Sequence, residues 1–382
     1  MTVVEPVVEH REELRDAVRR CLERARGPRP YLIGEPGTEE PFDAGLWRRL
    51  AAEVGVTGLI VPEELGGAGG RVADLAVVAE ELGRALSPVP FFSTVALATS
   101  ALLVHRDDPL ARELLTRIAG DGTTATLAVG EWPRPGLEGA PVVSAEPDAG
   151  GWRLSGRCGF VVDAATAEIV LVPAATAEGP GLFAVEADAS GLRRHPSRTL
   201  DLTRPMGSLA FDRVPARLVG TVAGAGQRLR AAVDIALALL AAEQVGGARY
   251  CLEQAVDYAK QRVQFNRPIG SFQAVKHTLV NVLLKVEMAQ SAAEIAISAA
   301  DAYLGRPGDD TRHELAQAAS LAKATCSDAY TYTAEETLHV HGGIGFTWEH
   351  DAHLYYRRAK ATELYLGTPD QYRDRLATTA GL

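Results

Sequence analysis

The sequence contains few cysteines, and none of them are spaced as in metal sites or redox centres. The four cysteines are spread over 382 residues without a Cys-x-x-Cys pair, so we predict free, reduced thiols. The beginning of the chain has no positively charged segment followed by an apolar one, and no apolar stretch of about 18 residues follows. These absences predict a protein with no membrane partner, and we expect it in the cytoplasm.

Positive charge and phosphate-binding loops are also lacking. The chain has 39 Lys and Arg against 49 Asp and Glu, which gives a formal net charge of -10. A nucleic-acid surface needs a basic stripe, so we expect no nucleic-acid partner. Neither Gly-x-Gly-x-x-Gly nor Gly-x-x-x-x-Gly-Lys-[Ser/Thr] occurs in the sequence. A bound nucleotide or flavin would therefore be held by other means.

What the sequence does contain divides it into three zones. In residues 1–120, apolar side chains recur at helical spacing, as at Leu46 and Leu50. Residues 121–222 hold short β-rich runs between Gly, Pro and Asp, a pattern typical of an antiparallel barrel or sandwich. Residues 223–382 form long helical segments with short links, as in a helical bundle. We predict an α+β multidomain protein: an N-terminal all-α domain, a middle antiparallel β-barrel or sandwich, and a C-terminal four-helix bundle.

Three segments, one early and two late in the chain, carry recognisable motifs. They are "GLIVPEELGGAGG" (58–70), "RVQFNRPIGSFQAVKH" (262–277) and "HVHGGIGFTWEHDAHLYYRRAK" (339–360). In this order and spacing they resemble the signature segments of the acyl-CoA dehydrogenase family, and the similarity covers essentially the whole chain. The resemblance implies a three-domain fold, FAD as cofactor and the α,β-desaturation of an acyl-CoA thioester.

The resemblance also implies which residues bind FAD, several of them across a subunit boundary. Arg262 can pair with a pyrophosphate through two hydrogen bonds, and Gly342 and Gly343 allow close backbone approach. Phe265 can pack against a flat ring, while His339 stands where the family usually has Gln. The predicted cofactor-binding residues are Arg262, Phe265, Gln273, His339, Gly342, Gly343 and Thr368.

The family's usual catalytic base is missing. Its Tyr-Glu-Gly-Thr segment reads "YLGT" here, so Leu366 stands at the position of the glutamate. Some members of the family place the base instead near the start of a long C-terminal helix, and that position is Ala236. Neither side chain can accept a proton, so we predict no catalytic residue. We predict Asp234, Tyr365 and Gly367 as substrate-binding residues.

Three other carboxylates, those of Asp234, Glu243 and Glu363, stay open as substitute bases.

Further departures from the family pattern fall in the pocket that this chain would build by itself. Phe160 and Val162 replace the usual Trp-x-Thr. The loop that usually reads Thr-Glu-Pro-x-x-Gly-Ser-Asp is "GEWPRPGLEG" here, which keeps only Glu131.

The family contact residues that this chain keeps and those that it has lost fall in different places. Contacts that would reach a neighbour's flavin are kept, whereas contacts within the chain's own pocket are lost. Related bacterial enzymes that act on steroid side chains pair a catalytic chain with a base-less one. We therefore predict a hetero-oligomer with a sister acyl-CoA dehydrogenase subunit, acting on an acyl-CoA substrate, with a homotetramer as the alternative. The broad apolar stripes of the last zone fit either the core of the bundle or a subunit contact.

Two other functions remain possible with the same fold. One is a flavin-dependent reductase or oxygenase that needs no α-proton abstraction, and the other is a flavin-free structural partner. The histidines between positions 339 and 353 lack the His-Glu-x-x-His order of zinc enzymes. We predict no metal site.

Overall fold

The computed structural model describes residues 4–32, 40–130 and 141–381. Its first region is helical. Most of the helices are short because prolines and glycines interrupt the apolar periodicity. Two π-helical segments adjoin them: Leu50–Val54 follows one helix, and Phe92–Thr99 leads into another. The α-helices of this region are α1 (Val4–Glu23), α2 (Ala44–Arg49), α3 (Val72–Arg84), α4 (Ser100–Leu103) and α5 (Pro109–Asp121).

A seven-stranded sheet follows. Its strands are β1 (Ala125–Leu127), β2 (Ser144–Asp148), β3 (Gly151–Val162), β4 (Ile169–Thr176), β5 (Gly179–Glu186), β6 (Leu192–Pro196) and β7 (Met206–Val219). The order β1-β4-β2-β3-β7-β5, with β5 also paired to β4, closes most of the sheet on itself. The pairings of β1 and β2 with β4 are parallel, and the others are antiparallel. No tight hairpin joins these parallel pairs, so no turn dictates an antiparallel direction.

The last region is a bundle of long helices. It contains α6 (Ala225–Gln261), a two-stranded arm of β8 (Val263–Gln264) and β9 (Arg267–Pro268), α7 (Gln273–Gly305), α8 (Asp309–His341), α9 (Ala352–Leu364) and α10 (Pro369–Thr379). These elements confirm the predicted fold class, in which helices precede and follow a β region. The domain boundaries after residues 120 and 222 stay a prediction.

Helix α6 is the central helix of the molecule. It packs against α3, α7 and α8, and nearly every side chain from Ala231 to Ala248 is buried. Apolar residues all round a helix are typical of such a position. One 18-residue window of α6 is long and apolar enough to cross a membrane, and the whole window is buried inside the protein. The sequence expectation that no such segment occurs was therefore wrong, because core burial selects the same composition.

Candidate active and cofactor site

Two of the predicted cofactor segments lie at the same end of the bundle. Helix α6 ends at Gln261 and leads into the β8–β9 arm, and α8 ends at His341 just before the glycine pair. The rings of Tyr258 and His341 stack with their centroids 4.5 Å apart. This stack fixes the two helix ends side by side. The arm and the glycine turn, which are separated by about 80 residues of sequence, therefore share one surface.

The arm presents a cation and an aromatic ring to the outside. Phe265 and Asn266 form its tip with φ angles of 51° and 62°, and Phe265 is 87% exposed. Arg262 directly precedes β8 and is exposed. No hydrogen bond or ion pair of its guanidinium is found in the part of the chain that the structure describes. A ring and an unpaired guanidinium on a protruding arm are suited to a ligand or a partner outside this chain.

The glycine turn leaves open space beside the arm. Gly342 has φ +64°, a conformation that favours glycine, and a Cβ at Gly342 or Gly343 would meet no atom within 4 Å. No neighbouring atom of the chain therefore requires glycine at position 343. The backbone of Gly343 is accessible from outside. His339 lies one turn earlier, exposed, with Nδ1 3.7 Å from Glu336. Gln273 is the first residue of α7 and is also exposed.

These residues fit a phosphorylated, flat cofactor such as FAD. An unpaired guanidinium can neutralise a pyrophosphate with two hydrogen bonds. Backbone at glycine can approach phosphate closely, and an exposed phenyl ring can pack against a base or flavin. FAD, when bound, supplies the two-electron redox chemistry. Arg262, Gly342, Gly343 and Phe265 would hold it from this side.

One of the two usual base positions, Ala236, lies far from that end. Ala236 is fully buried in α6, 26 residues before Arg262. At 1.5 Å per residue the two positions are about 39 Å apart along the helix axis. Arg262 and the base position at Ala236 therefore lie at different places on the molecule, whereas Thr368, also predicted to bind the cofactor, lies two residues after Leu366.

The segment at the usual base position is tightly fixed. Leu366 is buried, has φ +62°, and its carbonyl accepts a hydrogen bond of 2.9 Å from the hydroxyl of Tyr372. Gly367 follows with φ +118°. Thr368 caps α10, and its hydroxyl accepts from the backbone N–H of Gln371 at 3.4 Å. The hydroxyl predicted to contact the cofactor thus has a structural role in this chain.

A buried lysine fixes the end of α9 directly before this segment. Lys323 of α8 donates from Nζ to the carbonyl of Glu363 at 3.0 Å and to the hydroxyl of Ser327 at 3.2 Å. Burial lowers the pKa of Lys323 to about 7. Sequence reasoning missed this lysine, since nothing in its local pattern distinguishes it from a solvated helix residue.

Tyr365 is buried with its hydroxyl unpaired in the described structure. Its ring meets that of Phe92 edge-on, with centroids 6.0 Å apart, and the guanidinium of Arg204 lies 4.8 Å from the Phe92 centroid. Burial raises the pKa of Tyr365. The hydroxyl is therefore a neutral donor without a partner, which leaves the predicted substrate contact available.

All three candidate substitute bases are engaged with cations. Asp234 is buried and receives two hydrogen bonds, of 2.6 and 2.7 Å, from Arg375 of α10. Glu363 pairs with Lys360. In each pair the cation occupies carboxylate oxygens that a base would need for the substrate proton. Asp234, predicted to bind substrate, is occupied by its own chain. Arg375 was not foreseen, because 141 residues separate it from Asp234.

Glu243, the third candidate, lies in a buried network of charges. It accepts from Arg204 at 2.6 Å and from Arg358 at 2.8 Å. Arg358 also donates to Asp201 and, at 2.6 Å, to Thr203. The network joins the loop before β7 to α6 and α9. The two guanidiniums and two carboxylates of the network balance each other, as buried ions require. Glu243 therefore links the loop before β7 to α9, and its oxygens are not free to act as a base.

The β region contributes a further buried carboxylate, that of Asp163. Asp163 follows Val162, accepts a hydrogen bond from the hydroxyl of Ser93, and has its pKa raised to about 6 by burial. A cavity of about 20 Å³ lies beside it, lined in part by Val162 and Arg204. That is room for one water molecule. Phe160 is 63% exposed with φ 52°, and Glu131 lies outside the described residues.

The histidine cluster is aromatic and not metal-binding in its geometry. His341 and His350 have centroids 4.5 Å apart, and Nδ1 of His341 is hydrogen-bonded to the carbonyl of Thr337 at 2.8 Å. His353 meets the ring of Trp348 edge-on. Within residues 4–32, 40–130 and 141–381, no group of three or more His, Cys, Asp or Glu side chains is arranged to hold a metal.

Known proteins match this chain along nearly its whole length. Two family models fit: the acyl-CoA dehydrogenase N-terminal domain over residues 8–121 and the C-terminal domain over residues 228–380. Acyl-CoA dehydrogenase IpdE2 of Mycolicibacterium smegmatis is 34% identical over 368 residues, 96% of this chain and 98% of that protein. The chain belongs to the acyl-CoA dehydrogenase family. The resemblance seen in the sequence is confirmed.

Further known proteins are similar to this chain in sequence or in fold. FadE34 of Mycobacterium tuberculosis is 34% identical over 386 residues, which span all of this chain and 49% of that protein. Among solved structures, a variant of the Tcur3481–Tcur3483 steroid ACAD is 32% identical, with a TM-score of 0.83 over 98% of both chains. The ChsE4–ChsE5 complex of M. tuberculosis is 28% identical, with a TM-score of 0.81 over 97% of both.

Proposed function

We propose that this chain is the base-less subunit of a heteromeric FAD-dependent acyl-CoA dehydrogenase and completes the FAD site of a catalytic sister subunit. One observation carries the proposal. The residues suited to FAD face outward at one end of the bundle. The positions that hold the base in the family, Leu366 and Ala236, are apolar and buried, and Ala236 lies about 39 Å away along α6.

The outward-facing end supports the donation of contacts to a partner. Arg262 has no side-chain partner in the described chain, and Phe265 is 87% exposed. An 87% exposed phenyl ring buries almost none of its apolar surface within this chain, and the unpaired guanidinium beside it is free to bind an anion. A cofactor held mainly by a neighbouring subunit would supply both a ring and phosphates for them.

The state of the chain's own pocket supports the absence of catalysis there. Removal of the α-proton of a thioester needs a positioned base. Leu366 and Ala236 have no lone pair to offer, and Asp234, Glu243 and Glu363 are each paired with Arg or Lys. In the proposed complex the sister subunit supplies the carboxylate, and this chain supplies a cation, a ring and an open backbone that hold the cofactor.

Two related structures favour a mixed assembly. The Tcur3481–Tcur3483 steroid ACAD and the ChsE4–ChsE5 complex are each named for two different chains. By analogy, the substrate of the proposed complex is an acyl-CoA, with a steroid side chain as the first class to test.

The experiment uses the chain co-purified with its sister subunit. We expect Arg262→Ala in this chain to weaken flavin binding by the complex about 10- to 100-fold, the loss typical of a charge-assisted hydrogen-bonding group. Arg306→Ala is the matched control, because Arg306 is exposed at the far end of α7 and forms no side-chain ion pair in the described chain. If the Arg262→Ala complex binds flavin as tightly as the control complex, the proposal is wrong.

A further inference from the structure

A small internal cavity lies where the three regions of the molecule meet. Its volume is about 20 Å³, and its lining comes from α3 and the link after it, from the end of β3, from the loop before β7, and from α6 and α9. Ser87, Val162, Asp163 and Arg204 are four of the lining residues. A single water needs at least about 10–15 Å³, so the cavity has the size of one water molecule and is too small for a substrate or a cofactor.

Two of these residues carry polar atoms that are buried and unpaired. The hydroxyl oxygen of Ser87 and Nη1 of Arg204 have no hydrogen-bond partner among the residues that the structure describes. Arg204 uses its other terminal nitrogen, Nη2, to donate to both carboxylate oxygens of Glu243. Buried polar groups are almost always satisfied by the chain or by ordered water, because an unpaired one loses its hydration without compensation. The two atoms therefore indicate a bound polar molecule.

Asp163 supplies an acceptor at the same cavity. It is 4% exposed, and Oδ2 accepts a hydrogen bond from the hydroxyl of Ser93. Burial raises the pKa of Asp163 to about 6, while the hydrogen bond from Ser93 and the positive charge of Arg204 act to lower it. The carboxyl is therefore mostly ionised at neutral pH. Within the described residues Arg204 pairs with Glu243 and not with Asp163, so the guanidinium and the Asp163 carboxylate act on each other without direct contact.

The charges around the cavity favour water over an ion. The lining residues and their ion-pair partners carry two positive charges and three negative ones. They are Arg204 and Arg358, against Glu243, Asp201 and ionised Asp163. A small anion would meet this net negative charge, and a cation would lie against the guanidinium of Arg204. Water carries no net charge, and it offers a lone pair to the guanidinium and O–H groups to the carboxylate.

We propose that the cavity is an internal hydration site for one ordered water molecule. The water accepts a hydrogen bond from Nη1 of Arg204, donates one to the carboxylate of Asp163, and shares a third with the hydroxyl of Ser87. About three hydrogen bonds to otherwise unpaired groups are typical of buried water. The water connects the loop before β7, the end of β3 and the link after α3, and it stabilises the ionised form of Asp163. The site does not depend on the proposed function.

The first measurement is a crystal structure of the protein, alone or with its sister subunit, at a resolution that shows ordered water. We expect one peak of electron density in the cavity, about 2.7–3.2 Å from both Nη1 of Arg204 and the hydroxyl oxygen of Ser87. A dry cavity overturns the proposal. A peak that gains anomalous signal after a bromide soak also overturns it, because that signal marks an anion.

The second measurement displaces the water. Val162→Ile adds a methylene group to a side chain that lines the cavity, and the added volume competes with the water. Asp163 then loses a donor to its ionised form, so we expect its pKa to rise by about half a unit to one unit, a 3- to 10-fold increase in proton affinity. Infrared difference spectra against the matching Asp163→Asn protein report the ionisation of this carboxyl in the folded state.

Val161→Ile is the matched control. Val161 is equally buried but packs into the core of the β region and is not part of the cavity lining, so the control should keep both the density peak and the wild-type titration. In Val162→Ile the titration shift should accompany loss of the peak. A lost peak without a shift, a shift with the peak intact, or an equal shift in the control overturns the proposal. If Val162→Ile does not fold, the wild-type density decides the question.

Discussion

The side chain at position 366 determines whether this segment offers a proton acceptor. Leu366 stands where the sequence resemblance predicts the family's glutamate, with its backbone in the left-handed region and its carbonyl held by Tyr372. The segment is tightly fixed, and its leucine side chain offers no proton acceptor. At the residue scale the sequence predicts roles for Arg262, Gly342 and Leu366, because each stands in a short pattern with fixed spacing, and these roles stay predictions.

The partners of the buried charges could not be predicted in this way. Arg375 meets Asp234 and Arg358 meets Glu243 across 141 and 115 residues of sequence. Only the tertiary arrangement of α6, α8, α9 and α10 brings them together. Nothing in the sequence around Glu243 distinguishes a paired carboxylate from a free one, so the substitute bases stayed open until the structure showed their partners.

Asp163 gives a prediction at the same scale. Its pKa is about 6 in the folded protein, against about 4 for an exposed aspartate. Ionisation therefore opposes folding, and stability is lost as the pH rises from about 4 to about 6. Asp163→Asn removes the charge, keeps an acceptor for Ser93 and tolerates the positive φ. We expect the variant to be more stable than wild type at pH 8, by up to about 3 kcal/mol.

The measurement is the free energy of unfolding of both proteins as a function of pH. The difference between them should shrink as the pH falls towards 4. Asp212→Asn serves as the control, since Asp212 is exposed and should show little difference at any pH. A stability difference for Asp163→Asn that does not change with pH would contradict this account of the buried carboxyl.

At the scale of elements, α1 contributes Leu14, Val18 and Cys21 to the main core and is also held to α3 by ion pairs. Glu81 is 3% exposed and accepts from Arg15 at 2.7 Å and from Arg19 at 2.9 Å. Arg11 adds a pair with Asp74 at 3.1 Å. Helical periodicity predicted a helix in this zone but not this docking, because the charged residues of α1 are equally suited to a solvated face.

We expect Glu81→Ala to destabilise the protein by about 1–3 kcal/mol, since it leaves two guanidiniums without their shared acceptor. Part of that loss is recovered because Arg15 and Arg19 are partly exposed and can be hydrated. Hydrogen exchange of the α1 amides should accelerate more than that of α8. Glu12→Ala, on the exposed side of α1, should change neither value measurably. Equal exchange in both variants would show that packing alone docks α1.

At the scale of the whole molecule, the segments that resemble the family's cofactor motifs and the positions where the family has its base lie in different surroundings. One end of the bundle presents an arm and a glycine turn to the outside, whereas the interior positions of the base are apolar. Composition and periodicity predicted the three regions and their order, because long amphipathic segments and short β runs differ clearly. They could not predict that α6 is buried between α3, α7 and α8, which depends on contacts between segments distant in sequence.

The central claim is that this chain completes a site in another subunit and is incomplete alone. The most direct test counts flavin per chain and measures acyl-CoA turnover for the purified chain, with and without its co-expressed sister subunit. We predict little bound flavin and no turnover for the chain alone, and both for the complex. Full flavin occupancy together with acyl-CoA turnover by the chain alone would contradict the account.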